Sequence, residues 1–257
     1  MKNIDKSKDK ISNMFNSIAK HYDFVGHLLS LGIDVGWRKK TIKSLEINNQ
    51  TRCLDIATGT GDLAIALAKQ NPLSIDAFDI SEGMLAIAQK KAKKKKQLEK
   101  INFIYADAEE IPFPDNYFDV ITIGFGTRNF YNYKKTLFEI HRVLKKGGQL
   151  RILELTLPEN KFGKLYFFYL YKVMPFIADK ITHAHFYKYL PESIHDFDQG
   201  MVFMNQLEKS GFGKGQISRY SFGITTLYSV EKCTVLSGVN DVVKDLKRDV
   251  KIYNNAV

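Results

Sequence analysis

The sequence predicts an α/β fold: a doubly wound, mostly parallel sheet of seven strands, with a helical cap before the sheet and a helical insertion before its last two strands. Between residues 51 and 155, five short apolar segments alternate with segments of helical periodicity, the pattern of a parallel sheet covered on both faces. Two more strand-like segments follow near residue 220. The 257 residues are 44% hydrophobic and 26% charged, which is typical of a globular protein.

The first 45 residues predict the helical cap. Met1–Lys10 is polar and is expected to be a frayed tail. In Ile11–Leu45 the apolar residues follow helical spacing. Because glycine weakens helices, we expect three glycines to break this segment into short pieces: Gly26, Gly32 and Gly36.

Residues 46–232 are predicted to form the sheet and the helices that cover it. Five parallel strands are short apolar runs ending at turns: Thr51–Ala57, Ser74–Ile80, Ile101–Ala106, Phe118–Phe125 and Gln149–Leu155. Between them, helices are predicted at Leu63–Lys69, after an N-cap at Ser81, and at Lys134–Leu144. Since crossovers between parallel strands are right-handed, all five strands should end at one edge of the sheet, where ligands bind.

The insertion, about residues 157–192, opens with one aromatic-rich helical segment, Leu157–Asp179. A further helix, Ser193–Ser210, is expected after Pro191, because proline interrupts helices. Residues 233–257 form a C-terminal extension with no motif that indicates a role. Two antiparallel strands are predicted to complete the sheet: Ile217–Tyr220 and Gly223–Val230.

Charge and cysteine content limit the class of protein. The net charge of +10 favours anionic partners such as phosphates, nucleic acid or acidic lipid headgroups, without choosing among them. Cys53 and Cys233 have neither metal-ligand spacing nor a disulfide pattern, which favours a reducing compartment and no metal site. No apolar run is long enough to span a bilayer, so we expect a cytoplasmic protein that is soluble or peripheral to the inner face of the membrane.

The glycine-rich turn after the first strand predicts a cofactor site. It comprises Gly59, Thr60 and Gly61, and glycines let a ligand approach the backbone at a helix N-terminus. The second strand ends at Asp79, 24 residues after Asp55, where a carboxylate can accept hydrogen bonds from the hydroxyls of a ribose. Both dinucleotides and S-adenosylmethionine carry such a ribose.

The acids around this turn favour S-adenosylmethionine. Asp55 and Asp62 flank the glycines, and carboxylates repel a pyrophosphate but suit a sulfonium and an amino group. The third strand ends at Asp107 and Ala108, where a carboxylate could accept from an adenine amine and the next backbone N–H could donate to the ring. Each acid alone could be a helix cap, but three acids at successive strand ends argue for a ligand site.

These motifs resemble class I methyltransferases, which have a Rossmann-like fold, and more narrowly the menaquinone/ubiquinone C-methyltransferase family. The segments DIATGTGD and ADAEEIPFPDNYFDVITIGFGTRNF are similar, and so is MFNSIAKHYDFVGHLLSLGID near the N-terminus. The resemblance runs from about Ser12 to Lys232. It departs at Gly26, where the family commonly has Asn, and at Thr127, where an apolar residue is more usual. Gly124, at the end of the fourth strand, joins the expected cofactor-binding residues.

The resemblance implies methyl transfer to a ring carbon of a prenylated quinol. Conversion of demethylmenaquinol to menaquinol is the first choice, and methylation of a methoxy-benzoquinol for ubiquinone is the alternative. Arg128 would stabilise a phenolate and Asn129 would bind a quinol oxygen, although Arg128 could instead pair with a surface acid. Tyr22 and Asp23 could close over the site, although Asp23 could instead cap a helix. Of two lid histidines, His183 and His185, one could serve as a base, but a solvated histidine is favoured.

The aromatic segment Leu165–Ile177 predicts a contact with lipid. Its aromatic and apolar positions run nearly all round a helix, so a wall for an isoprenoid tail or a peripheral membrane helix is favoured over plain core. Lysines near it could meet acidic headgroups, as expected for a membrane surface as partner: Lys161, Lys164, Lys172 and Lys180. A homodimer is a further possibility that the sequence leaves open.

Two other classes of function compete with this interpretation. The charge suggests an RNA methyltransferase, but the densest basic run, Lys90–Lys96, lies on a predicted crossover helix away from the strand ends, so we expect no nucleic-acid partner. A cofactor-binding module without catalysis would lack some of the loop glycines or strand-end acids, and the sequence retains them.

Overall fold

The seven strands of the computed structural model, which describes residues 4–159, 161–174, 176, 186–213 and 215–233, form one sheet in the order β3-β2-β1-β4-β5-β7-β6. Their bounds are β1 (Arg52–Ile56), β2 (Ser74–Asp79), β3 (Ile101–Tyr105), β4 (Phe118–Gly124), β5 (Leu144–Leu155), β6 (Gln216–Tyr220) and β7 (Thr225–Glu231). Neighbouring strands are parallel, except that β7 runs antiparallel to both β5 and β6. The predicted sheet is therefore confirmed.

Helices precede the sheet and connect its strands. Their bounds are α1 (Lys8–Leu29), α2 (Ile33–Lys43), α3 (Asp62–Ala68), α4 (Glu82–Lys94), α5 (Tyr133–Val143), α6 (Phe162–Phe168), α7 (Phe186–Asp196) and α8 (Gly200–Lys209). The hydroxyl of Ser81 accepts from the backbone N–H of Met84 at 3.1 Å, so the predicted N-cap of α4 is present.

Side chains alternate between the two faces of the sheet along each strand, and helices bury both faces. Leu54 and Ile56 of β1 belong to a core with apolar residues of α5 and α8. Cys53 points to the opposite face and belongs to a second core with residues of α3 and α4. The strand order reverses between β1 and β4, and in open α/β sheets a ligand crevice forms at that point.

The prediction that three glycines divide the N-terminal segment is wrong for two of them. Gly26 lies inside α1 and Gly36 inside α2, and only Gly32, with φ of 74°, ends the helical path. A glycine within a helix costs only about 1 kcal/mol, and burial of Ile18 and Val25 of α1 offsets that cost.

The predicted frayed tail is also wrong at its end nearest the cap. Helix α1 begins at Lys8, and Ser7 precedes it as the N-cap residue. Lys6 forms an ion pair with Asp196 of α7 at 2.9 Å, and Lys8 pairs with Asp107. Contacts with residues far along the chain hold this segment, and a search for local periodicity does not detect them.

The predicted helix Ser193–Ser210 is two helices. Helix α7 passes through Pro191 to Asp196, and α8 begins at Gly200. Burial of Leu190 and Ile194 in one apolar cluster keeps α7 helical on both sides of the proline. The break falls instead just before α8, where Phe197 enters the sheet's core.

The insertion is helical from Phe162, and α6 continues as a π-helical turn over Tyr169–Val173. Two parts of the earlier predictions lie outside the described residues: residues 177–185, which include His183 and His185, and residues 234–257 of the extension. Among the helices that are described, none combines the length and the apolar character needed to cross a bilayer.

Candidate active site

A cleft opens at the carboxyl ends of β1, β2, β3 and β4. Most residues that the sequence predicted for the site line this cleft: Tyr22, Asp55, Gly59, Thr60, Asp79, Asp107, Ala108, Gly124 and Asn129. Gly61, Asp23 and Arg128 lie directly behind the lining and hydrogen-bond to residues in it.

The glycine turn is shaped by two residues in the left-handed region. Gly59 has φ of 55° and Gly61 has φ of 83°, and side chains are disfavoured there. A Cβ on Gly61 would lie 3.0 Å from the Cβ of Ala88 in α4, so glycine also allows the turn to approach that helix. The turn therefore presents its backbone, rather than side chains, to the cleft.

Asp79 is held by the backbone on both sides of the cleft floor. Its Oδ2 accepts from the N–H of Gly59 at 2.8 Å, and its Oδ1 accepts from the N–H of Ser81 at 2.9 Å. Burial raises the pKa of this carboxyl to about 6, even though these hydrogen bonds favour the charged form. The carboxyl is thus fixed in position, and its burial makes it costly to ionise.

Asp55 is a second buried carboxyl beside the turn. Its oxygens accept from the hydroxyls of Thr58 at 2.7 Å and Thr122 at 2.6 Å. Burial raises its pKa to about 6 as well, and the charge of Asp79 adds to this rise. Two carboxyls of raised pKa in one cleft suit a ligand that brings positive charge.

The third strand-end acid is anchored in the same way. Asp107 accepts from the backbone N–H of Glu109 at 2.8 Å through Oδ1, and its Oδ2 pairs with Lys8. Ala108 follows it in the lining. At Gly124 a Cβ would lie 2.7 Å from Cδ1 of Leu63, so glycine lets the end of β4 pack closely on α3.

An ionic network ties the cap to the glycine turn. Asp23 of α1 accepts from the hydroxyl of Thr60 at 2.5 Å and pairs with Lys91 of α4 at 2.5 Å. Lys91 also pairs with Asp62 at 2.8 Å. The sequence placed the basic run Lys90–Lys96 away from the strand ends, but Lys91 reaches the glycine turn after β1.

Arg128 is buried, with only 2% of its surface exposed, and it pairs with an acid that the sequence analysis did not single out. Its Nη1 lies 2.6 Å from Oε1 of Glu154, which is fully buried, and 2.5 Å from the carbonyl of Phe125. Its Nε donates to the hydroxyl of Ser193 at 3.3 Å, which links the end of β4 to α7. The partner of Arg128 is thus a core acid rather than a surface one.

Asn129 faces the cleft and connects to the insertion. Its Oδ1 accepts from the hydroxyl of Tyr189 at 2.9 Å, and its Nδ2 donates to the carbonyl of Phe125 at 3.3 Å. Burial raises the pKa of Tyr189 to about 12, while the nearby Arg128 lowers it. Burial likewise raises the pKa of Tyr22, and Arg128 again opposes the rise. The positive charge of Arg128 therefore opposes the rise in the pKa of both tyrosine hydroxyls, whereas the carboxylate of Glu154 adds to it.

Sequence reasoning missed three cations that line the cleft: Lys6, Lys8 and Arg38. Arg38 of α2 pairs with Asp34 and lies 5.2 Å from the ring centre of Phe125. The sequence around Arg38 contains no motif that indicates a functional site. Only the packing of the cap over the sheet brings it to the cleft.

Comparison with known proteins agrees with this geometry. The model of the ubiE/COQ5 methyltransferase family matches residues 2–232. The chain is 42% identical over 234 residues to demethylmenaquinone methyltransferase of Bacteroides fragilis, covering 90% of this chain and 95% of that protein. It is 38% identical over 235 residues to the ubiquinone/menaquinone biosynthesis C-methyltransferase UbiE of Geobacter sulfurreducens, covering 90% and 92%.

Solved structures share the fold at lower identity. An S-adenosylmethionine-dependent methyltransferase from Thermotoga maritima aligns with a TM-score of 0.62 at 20% identity, covering 86% of this chain and 99% of that one. Another, from Methanococcus maripaludis, aligns with a TM-score of 0.60 at 23% identity, covering 91% and 97%. The extent of the family match and the acidic cleft lead to one conclusion: the chain belongs to the ubiE/COQ5 methyltransferase family and is an S-adenosylmethionine-dependent methyltransferase.

Proposed function

We propose that this protein methylates a ring carbon of a prenylated quinol, with demethylmenaquinol as the substrate and menaquinol as the product. The observation that carries the proposal is that acids line the cleft beside the glycine turn, while aromatic side chains of the cap line it next to an apolar cluster. Phe15 and Tyr22 belong both to the cleft lining and to an apolar cluster with Tyr166, Leu170 and Met174. A polar cofactor and an apolar substrate would meet where these two regions join.

The residues of the acidic end fit S-adenosylmethionine. When bound, this cofactor supplies an electrophilic methyl group on a positively charged sulfur. Asp79 would accept from the ribose hydroxyls, and the turn Gly59–Gly61 would lie against the methionine portion. Asp107 and Ala108 would contact the adenine. The buried carboxyl of Asp55 complements the positive charge of the ligand.

Other residues in and behind the cleft wall would supply what the quinol needs. A quinol ring carbon becomes nucleophilic when its hydroxyl loses a proton, and a fixed positive charge stabilises the resulting phenolate. Asn129 would hydrogen-bond a quinol oxygen from the cleft wall. Arg128 lies behind it, and its charge opposes the rise that burial causes in the pKa of the hydroxyls of Tyr22 and Tyr189, so it would act in the same direction on a quinol hydroxyl placed there.

The cap and insertion would orient the quinol and exclude water. Tyr22 lines the cleft from α1, and Asp23 secures that helix to Thr60 of the cofactor turn. Holding the ring carbon in line with the methyl group supplies up to about 7–11 kcal/mol of the barrier reduction. By holding the quinol in position, α1 would therefore contribute directly to the rate of methyl transfer.

Exposed apolar side chains on α6 support access to a substrate that resides in a bilayer. Leu165 is 62% exposed and Phe168 57% exposed, and Phe167 stacks on Tyr171 with ring centres 4.2 Å apart. Tyr166, Leu170 and Met174, on the opposite side, pack into the apolar cluster beside the cleft. We infer that α6 contacts the cytoplasmic face of the membrane while its inner side meets the prenyl tail.

One experiment tests the reaction and separates its rivals. The purified full chain, with S-adenosylmethionine carrying an isotopic label in its methyl group, is given a short-chain demethylmenaquinol, a methoxy-benzoquinol analogue or total RNA. We expect label in the naphthoquinol ring, detected by mass spectrometry. Label in the benzoquinol instead would favour a role in ubiquinone synthesis. Label in RNA alone would overturn the proposal.

A further inference from the structure

We propose that the hairpin formed by α1 and α2 is a second membrane-docking element, whose partner is an anionic lipid bilayer. This inference rests on the proposed function, since a bilayer-resident substrate gives the docking its purpose. Five exposed apolar side chains lie within twelve residues at the junction of the two helices, and they are called the hairpin patch: Phe24, Leu28, Leu31, Ile33 and Val35. Proteins that remain free in water rarely expose so many apolar side chains together.

Leu31 shows that this exposure does not serve the local fold. Its φ of 52° lies in the left-handed region, where a bulky side chain is strained and Gly or Asn would fit better. At the same time, 84% of its surface is exposed, so it gains little by packing against the protein. A strained and solvated leucine at the tip of a hairpin is suited to insertion into an apolar phase.

The charges around the hairpin patch match an anionic surface. Lys20, Lys39 and Lys43 are exposed on the same two helices. The sequence from Lys20 to Lys43 contains two acids, and both are engaged: Asp23 pairs with Lys91, and Asp34 accepts from Ser30 and Arg38. An apolar centre with a rim of lysines is the arrangement that binds bilayers containing acidic lipids.

The same charges disfavour a second copy of the chain as the partner. In a two-fold dimer, a patch would meet itself, and its lysine rim would face an identical lysine rim. Like charges brought together at an interface are unfavourable. Nucleic acid would suit the lysines but not the apolar side chains in the centre.

The hairpin is rigid and placed to help the substrate enter. The carboxyl of Asp34 accepts from the Ser30 hydroxyl at 2.7 Å and lies 2.8 Å from Nδ1 of His27, which fixes the turn between the helices. Further back along α1, Tyr22 lines the cleft, and Ile18 and Val25 pack in the same cluster as Tyr166 of α6. The hairpin and α6 are thus joined through one apolar cluster that opens toward the active site.

The test is vesicle flotation of the full chain with phosphatidylcholine vesicles that contain, or lack, phosphatidylglycerol. The hairpin variant combines Leu31→Asn with Phe24→Ser. Asn tolerates the left-handed backbone, so this change removes apolar surface without disfavouring the turn. The matched control combines Leu73→Ser with Phe138→Ser, which removes a leucine and a phenylalanine that are also more than half exposed, at sites away from the hairpin. Circular dichroism confirms that both variants are folded.

We expect the hairpin variant to lose about tenfold or more in its partition onto anionic vesicles, while the control binds as the unsubstituted protein does. Binding of the unsubstituted protein should weaken on vesicles without phosphatidylglycerol and in high salt. Equal binding by the hairpin variant and the control would overturn the proposal. So would a hairpin variant that floats normally but changes from dimer to monomer in sedimentation, since the patch would then join copies of the chain.

A second measurement keeps this result apart from the proposed function. Without vesicles, the hairpin variant should methylate a short-chain quinol at the rate of the unsubstituted protein, because the cleft is unchanged. If no form of the protein methylates any quinol, the proposed function fails while the flotation result stands on its own. If methylation is normal and flotation does not depend on the hairpin patch, only the docking proposal fails.

Discussion

Two opposing effects act on the ionisation of the Asp79 carboxyl. Backbone N–H groups of Gly59 and Ser81 fix its carboxylate, whereas burial raises its pKa to about 6. A bound cation with two ribose hydroxyls would favour the ionised form. Cofactor binding should therefore be coupled to loss of a proton from this carboxyl.

This coupling predicts pH-dependent affinity for S-adenosylmethionine. With a pKa near 6, most Asp79 side chains are protonated at pH 5, so affinity should be about tenfold weaker there than at pH 7.5. Titration calorimetry in buffers of different ionisation heat should show proton release near pH 6. Asp79→Asn should lower affinity roughly 10- to 150-fold at pH 7.5 and reduce the proton release. Unchanged affinity in this variant would contradict the assignment.

Variants of the buried pair Arg128–Glu154 can distinguish its contribution to stability from its contribution to catalysis. Arg128→Ala leaves a buried carboxylate without its partner, which should destabilise the fold by about 3–5 kcal/mol. Arg128→Gln with Glu154→Gln removes both charges and should recover much of that loss, as measured by thermal unfolding. Turnover should nevertheless stay low in the double variant, with cofactor affinity nearly intact, because the positive charge is gone. Full recovery of turnover would show that the pair is purely structural.

The site residues could be predicted where the signal is local. Gly59, Asp79 and Asp107 follow strands at recognisable spacing, so the sequence alone locates them at one edge. Glu154 and Arg38 could not be found in this way. Glu154 is an acid inside an apolar strand, and its partner is 26 residues away in the sequence. Such residues reach the site only through tertiary packing.

Strands were easier to predict than helix boundaries. A buried parallel strand is a short apolar run, and β1 to β4 were located to within about two residues, the usual uncertainty of such boundaries. Helices were misjudged at Gly26, Gly36 and Pro191, where tertiary burial outweighs local preference. Strand β5 also starts earlier than predicted, because Gly147, with φ of 73°, lies within the strand instead of ending it.

Helix α6 should matter for lipid substrates and not for the chemical step. We expect Phe167→Ser with Phe168→Ser to lower activity on a long-chain quinol in vesicles, since each buried Phe contributes about 1.5–3 kcal/mol. Activity on a short-chain quinol in solution should survive. Steady-state rates with both substrates, and Met201→Ser with Val202→Ser on α8 as the matched control, provide the measurement. Equal loss on both substrates would mean that this face is core.

The stability of the protein should depend on pH through two of its buried acids, Asp55 and Asp79. Asp55 and Asp79 have pKa values near 6 in the fold, above the value of 3.8 for a free carboxyl, so the folded state binds more protons between these limits. Their contribution to stability therefore falls as pH rises from about 4 to above 6.

Comparison with a variant isolates this effect from that of other groups. Relative to the unsubstituted protein without cofactor, Asp55→Asn should gain roughly 1–3 kcal/mol of stability between pH 4.5 and 7.5. Urea unfolding at each pH measures the difference. A difference that is independent of pH would show that Asp55 is not protonated in the cofactor-free fold.

The ion pairs of Lys6 and Lys8 have a kinetic consequence. Lys6 pairs with Asp196 of α7, Lys8 pairs with Asp107, and both lysines line the cleft, so the start of α1 and the residues just before it are fastened on two sides. Ligand exchange then requires release of these partly exposed pairs, which salt weakens. Dissociation of S-adenosylhomocysteine should accelerate with ionic strength in stopped-flow measurements, and Lys6→Gln with Lys8→Gln should abolish that dependence. Turnover would then be limited by the breaking of these two ion pairs, and fast turnover at low salt would require both pairs to break readily.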